Sequence, residues 1–194
     1  MTAMGVDRFV VTLVDAKQGK QEERRWRKAE VLNSMAWLKR MNARGYDVWI
    51  RPDGEHGLVL LGGLKKRDVQ TLRERGFAPA TVVETAREQY QAWVKLSQDA
   101  LAESLRGRAA EVLVQGLGRH GANAISRADG RLAGFTNQQV QRMGGRHPYV
   151  LLTEDQGKLA PAAPTYLDRF QHEQARVLAV YRDRSHGEWR GPQR

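Results

Sequence analysis

Arg127 and Arg131 stand four residues apart in the stretch Ser126-Arg127-Ala128-Asp129-Gly130-Arg131-Leu132-Ala133-Gly134-Phe135-Thr136-Asn137. Small residues surround both guanidinium groups, and backbone amides near glycine suit phosphate, as do paired guanidiniums. The same composition also describes an arginine-rich surface loop. A second candidate is Tyr90-Gln91-Ala92-Trp93-Val94-Lys95-Leu96. Strand alternation puts Gln91, Trp93 and Lys95 on one face and Tyr90, Ala92, Val94 and Leu96 on the other. On an open sheet, Trp93 would offer bases a stacking platform worth ~1–3 kcal/mol, with Lys95 as a cation for the backbone. Under a helix, Trp93 would be core. The five histidines (His56, His120, His147, His172, His186) show no paired metal-ligand spacing, and there is no cysteine, which excludes disulfides and thiolate zinc sites. No Ser/His/Asp or P-loop pattern occurs.

The elements that must position these residues follow from periodicity. The run Leu58-Val59-Leu60-Leu61 lies between turn formers and predicts a short strand buried on both faces. Tyr46 to Ile50 precedes it and ends in Arg51-Pro52-Asp53-Gly54, which predicts a hairpin. Arg8 to Val14 is β-rich, and Glu22 to Arg27 reads as an exposed strand around Trp26. A helix is predicted over Lys28 to Arg44, with Val31, Met35, Leu38 and Met41 on one face. Further helices are predicted over Lys66 to Arg75 and, from an N-cap at Ser97, over Gln98 to Leu117. Its stripe is Leu101, Leu105, Ala109, Val112 and Leu113. Thr81 to Thr85 pairs with Tyr90 to Leu96, and Tyr149 to Thr153 is a last strand. The predicted organisation is one domain over 1–156, an Ala/Pro linker over 157–164, a C-terminal helix over 165–184 and a basic tail over 185–194. The fold class is α/β (α+β): a mixed or antiparallel sheet covered mainly on one face by helices.

Lysine and arginine total 32 against 22 acids, a net charge of +10. Such a field attracts polyanions, nucleic acid first. The excess is spread along the chain rather than set on one amphipathic helix, which argues against membrane binding. No apolar run approaches the ~20 residues that span a bilayer, and Met1 to Asp7 lacks the pattern of a signal peptide. A cytoplasmic location is therefore expected.

Five blocks resemble the RepB-type plasmid DNA primases, in the family's order and at similar spacing. They are Arg40 to Pro52, His56 to Leu60, Val83 to Thr85, Tyr90 to Lys95 and Gly130 to Asn137. The resemblance covers about Arg8 to Pro164. It implies a primase-like fold with an RRM-like sheet, and a setting in replication or conjugative mobilisation of plasmids, where such domains can be joined to a relaxase. It also implies nucleotidyl transfer by two divalent metals held by shared carboxylates. The family's acids stand at the end of the central strand, where this chain has Gly62 and Gly63. A further family Asp falls at or near His120, or at Ile125 on the other alignment. None of these is an acid.

The expectation is a nucleic-acid-binding protein, single-stranded DNA favoured, that lacks polymerase chemistry and needs no cofactor. Its contact residues would be Arg51, His56, Gln91, Trp93, Lys95, Arg127, Arg131 and Asn137, with His56 touching phosphate or capping its turn. Relaxase or replication proteins of the same element would be its partners. One alternative is an active primase using Mg2+ or Mn2+ on relocated carboxylates drawn from Asp53, Glu55, Glu84 and Asp129. The other is a protein-interaction module built on the same fold.

Overall fold

The computed structural model describes residues 1–118, 124–140, 144–170 and 172. His120, the basic tail and most of the last helix lie outside the described residues. Nine strands and four helices follow one another as β1 (Arg8–Asp15), β2 (Gln21–Arg27), α1 (Lys28–Asn33), α2 (Met35–Ala43), β3 (Tyr46–Pro52), β4 (Leu58–Leu64), α3 (Lys66–Glu74), β5 (Thr81–Ala86), β6 (Gln89–Lys95), α4 (Glu103–Gly116), β7 (Ile125–Arg127), β8 (Gly130–Arg131) and β9 (Leu151–Asp155), counted among the described residues. Residues 163–170 are also helical.

The α+β class holds, but the sheet is divided in two. One sheet runs β2-β1-β3-β8 and the other β7-β4-β6-β5-β9. Every described strand pair is antiparallel. The β3–β4 pair expected as a hairpin is instead a crossing between the sheets, because β3 pairs with β1 and β4 with β6. The sheets are joined by one short stretch. Ile125 to Arg127 pairs with β4, and after a two-residue turn Gly130 and Arg131 pair with Ile50 and Trp49 of β3.

The central strand β4 behaves as its four apolar residues require. Val59 and Leu61 join a core made with α3, α4 and Leu167. Leu58 and Leu60 join a second core with β1, β3 and the helices α1 and α2. All four are at most 3% exposed. Val31 and Leu38 are buried in that second core, with Met35 and Met41 packed against it, so the helical face read from the sequence is correct. The helix itself breaks at Ser34 into α1 and α2.

Three expectations are corrected. The open face carrying Gln91 and Trp93 does not exist: Trp93 is 4% exposed and Gln91 is buried. Trp93 packs with Leu60 and lies under Gly130, where an added Cβ would stand 3.0 Å from the indole Nε1 and 3.2 Å from a Leu60 methyl. Glycine at 130 is what lets β8 cross over the ring. Second, α4 starts at Glu103, not at Gln98. Ser97 Oγ accepts from the Asp99 amide and closes a turn instead of capping the helix, and Leu101 bridges to His56. Val112, assigned to the buried stripe, is 39% exposed. Third, the Ala/Pro stretch 157–164, expected as a linker, packs against the domain. Leu159 bridges to Lys95, the Ala160 amide donates to the Lys95 carbonyl, and Ala160 and Ala163 are fully buried.

Trp93→Ala is expected to lower stability by about 3–5 kcal/mol, the cost of emptying an aromatic site in a core. Urea denaturation checks this. A surface platform would instead change stability by less than ~0.5 kcal/mol.

Candidate nucleic-acid interface

A cleft of about 810 Å³ opens beside the junction of the two sheets. Val10 and Arg25 of the first sheet line it, with Arg51 at the end of β3 and His56 in the following turn. Leu58, Leu60 and Trp93 line it from the second sheet, Arg106 from α4 and Arg127 from β7. Four guanidinium groups therefore face one cavity.

Their surroundings differ. Arg25 is paired with Asp53 at 2.6 Å. Arg51 donates to Asp129 at 2.8 Å and to Glu23 at 3.1 Å, and these carboxylates raise its pKa against the opposing effect of its burial. Among the described residues Arg106 donates to the carbonyls of His56 and Leu101, at 3.1 and 3.2 Å. Arg127 has no carboxylate partner among the described residues, and its side chain lies along Gly62.

His56 sits at the foot of this group. Burial, and then the positive charge of Arg106, push its pKa down to about 4. Its Nδ1 accepts from the Leu58 amide at 3.2 Å. In the neutral ring Nε2 then carries the proton, as a donor without charge.

Gln91, Arg131 and Asn137 form a different assembly, buried beside the cleft. The Arg131 guanidinium pairs with Asp47, donates to Gln139 at 2.8 Å and stacks over Trp49 at 4.3 Å. Asp47 is fully buried and also accepts from the Gln138 amide. Burial lowers the Arg131 pKa, and Asp47 opposes the shift. Gln91 Oε1 accepts from the Arg131 amide at 2.8 Å, and Asn137 donates to the Thr85 carbonyl at 2.9 Å. These side chains are committed to holding the 130–139 loop. Lys95 lies apart, its Nζ against Gly5.

The sequence-predicted residues thus divide. Arg51, His56, Trp93 and Arg127 line one cleft, with Trp93 as its floor. Gln91, Arg131 and Asn137 build the loop beside it. Arg25 and Arg106 were missed, and no periodicity marks them. Asp47 and Asn42 were also missed, although each left a signal: a polar residue where the pattern calls for a buried one. Asn42 satisfies its whole amide, accepting from Thr136 and donating to the carbonyls of Tyr46 and Thr136.

The metal pair implied by the family does not fit these residues. Gly62 and Gly63 supply no carboxylate, and the space above Gly62 holds Arg127. Three of the four relocated acids are engaged elsewhere: Asp53 with Arg25, Asp129 with Arg51, and Glu84 with the Glu88 amide of its hairpin turn; Glu55 lines the cleft, exposed to solvent. Among the described residues no group of three His, Cys, Asp or Glu could hold a metal ion.

Two antiparallel sheets joined at a basic cleft define a primase-type fold, and comparison with known proteins agrees. Residues 8–176 match the model of the RepB DNA-primase N-terminal domain, and the chain belongs to that family. It is 43% identical over 192 residues to Mobilization protein A of Escherichia coli, covering 92% of this chain and 27% of that protein. The chain therefore spans about a quarter of that relative's length. A crystal structure of primase RepB′ superposes with a TM-score of 0.83 at 43% identity, over 95% of this chain and 65% of that one. The catalytic domain of primase RepB′, in complex with initiator DNA, gives 0.78 at 42% identity, over 91% and 93%. The cyanophage S-2L primase-polymerase domain shares the fold alone, with a TM-score of 0.54 and 12% identity over 87% of this chain and 92% of that one. No described helix is long and apolar enough to cross a membrane.

Two outcomes follow. Arg131→Ala would leave Asp47 buried without its partner and should cost about 3–5 kcal/mol in urea denaturation. An NMR titration should find His56 neutral down to near pH 4. Because the unfolded ring takes its proton near 6.5 and the folded ring near 4, the unfolded state binds more protons between those values. His56 therefore contributes a loss of stability as pH falls from about 6.5 to 4.

Proposed function

We propose that this chain is a DNA-binding protein of a plasmid or mobile element, with single strands preferred, acting in replication or conjugative mobilisation. We further propose that it binds without carrying out the metal-dependent nucleotidyl transfer of its family. The observation that carries this reading is the position of Arg127 across Gly62, a cation where the family resemblance calls for metal-binding acids. The net charge of +10 and the four cleft arginines support a polyanion as ligand. The complex of primase RepB′ with initiator DNA supports DNA as that polyanion. The role in mobilisation rests on the likeness to Mobilization protein A, and relaxase or replication proteins of the same element are the proposed protein partners.

The contact residues proposed are those that reach the cleft: Arg51, His56 and Arg127 of the original set, with Arg25 and Arg106 added. Gln91, Arg131 and Asn137 act by holding the loop that bears Arg127's neighbours. Trp93 shapes the floor.

Binding to a fluorescent single-stranded oligonucleotide, followed by anisotropy, should fall steeply with salt. Three or four phosphate contacts on a single strand predict a loss of about 20- to 50-fold between 50 and 200 mM salt. Salt-insensitive binding, or none, would defeat the proposal. A primer-synthesis assay on a single-stranded template with magnesium or manganese should give no product. Product that disappears on Glu84→Ala or Asp129→Ala would establish the active-primase reading instead.

A further inference from the structure

We propose that Arg127, held flat on Gly62, makes the cleft a metal-independent site for a nucleotide phosphate. The inference deepens the DNA-binding reading above and rests on it for its setting.

The geometry begins with strand register. Leu60 of β4 faces Arg127 of β7, and Gly62 faces Ile125. Residues opposed in an antiparallel pair share a face, so Leu60, Gly62 and Arg127 project to the same side. Leu60 and Arg127 both line the cleft. At Gly62 there is no side chain, and the arginine fills the gap. A Cβ added there would stand 2.4 Å from Arg127 Nε, 2.6 Å from Cδ and 3.3 Å from Cγ. Any residue but glycine would displace the guanidinium stem. The side chain is thus positioned by the strand beneath it.

Among the described residues no carboxylate neutralises its charge. Arg25 and Arg51 have carboxylate partners, but Arg106 and Arg127 have none among the described residues. Arg131, of like sign, is one charged neighbour of Arg127. Glu55 and Glu103 also line the cleft, but both are exposed to solvent, where their fields are screened. His56 adds a neutral donor rather than a competing carboxylate. Two guanidinium groups with free donors in one cavity suit an anion with several acceptor oxygens.

The guanidinium has a fixed charge at any working pH. It repels a divalent cation and removes the need for one, because it supplies the countercharge itself. A chelator cannot strip it away. The ligand class is a nucleotide phosphate, from one of two sources: a phosphodiester of single-stranded DNA or the triphosphate of a free nucleotide.

The test uses the full chain with two probes, a fluorescent single-stranded oligonucleotide by anisotropy and deoxyadenosine triphosphate by calorimetry. Each is measured in EDTA and in magnesium, for the unaltered protein, Arg127→Ala and Arg127→Glu, with circular dichroism to verify the fold. Arg127 is exposed on a short strand, so both variants should fold. For at least one probe, affinity should agree within about twofold between EDTA and magnesium. Arg127→Ala should reduce it about 10-fold in both buffers, in line with loss of a charge-assisted contact. Arg127→Glu should reduce it further. Dependence on Arg127 for the oligonucleotide alone identifies the phosphodiester. Dependence for the triphosphate alone identifies the free nucleotide, and if the oligonucleotide does not bind, the DNA-binding reading falls while this site stands. Binding that requires magnesium, or that ignores both Arg127 variants, overturns the inference and leaves DNA binding to be judged by its own salt dependence.

Discussion

A guanidinium and a carboxylate taken out of water together are tolerated when their geometry is good and further hydrogen bonds support them. Arg131 and Asp47 have that support. Asp47 accepts from Arg131 and from the Gln138 amide, while Arg131 reaches Gln139 and rests on Trp49. The pair ties residues that are 84 positions apart in sequence. It fixes β8 against β3, and β8 is the continuation of β7, which pairs with β4 in the other sheet. The pair thereby holds the short link between the two sheets, beside the cleft. A hydrophobic pair could fill the same volume, but it would not specify the register of a two-residue strand.

From this anchor the cleft gets an uneven electrostatic pattern. Arginines nearest the first sheet are balanced by Asp53, Asp129 and Glu23. Those toward α4 and β7 have no such partner among the described residues. Burial keeps His56 neutral, so the turn that introduces β4 adds hydrogen-bonding capacity without further charge. Within the cleft, the cations without a carboxylate partner among the described residues, Arg106 and Arg127, thus lie on one side.

Much of the fold was legible. The four apolar residues of β4 could only be buried on both sides, and the ordered blocks from Arg40 to Asn137 carried the family assignment. What alternation along β6 could establish was that Gln91, Trp93 and Lys95 share a face. It could not establish whether that face is covered, because the cover, Gly130, comes from a strand two residues long with no periodicity of its own. The same limit hid the partner of Asp47. Helix starts were misjudged for a local reason. Ser97 is a good N-cap type, but its hydroxyl was used to close a turn that brings Leu101 to His56. The absence of acids at 62 and 63 was plain in the sequence, whereas the arginine that lies in their place was visible only once strand register was known.

The contact between Arg127 and Gly62 also decides what a side chain placed there would meet. An aspartate at position 62 would meet the arginine side chain at once and be consumed in an internal ion pair before it could hold a cation. An aspartate at 63 would enter a backbone with φ of +69°, a conformation costing an L-residue roughly 1–2 kcal/mol. Neither replacement alone would therefore build a cation site. At this strand end an added carboxylate would act first on the protein's own arginine and backbone.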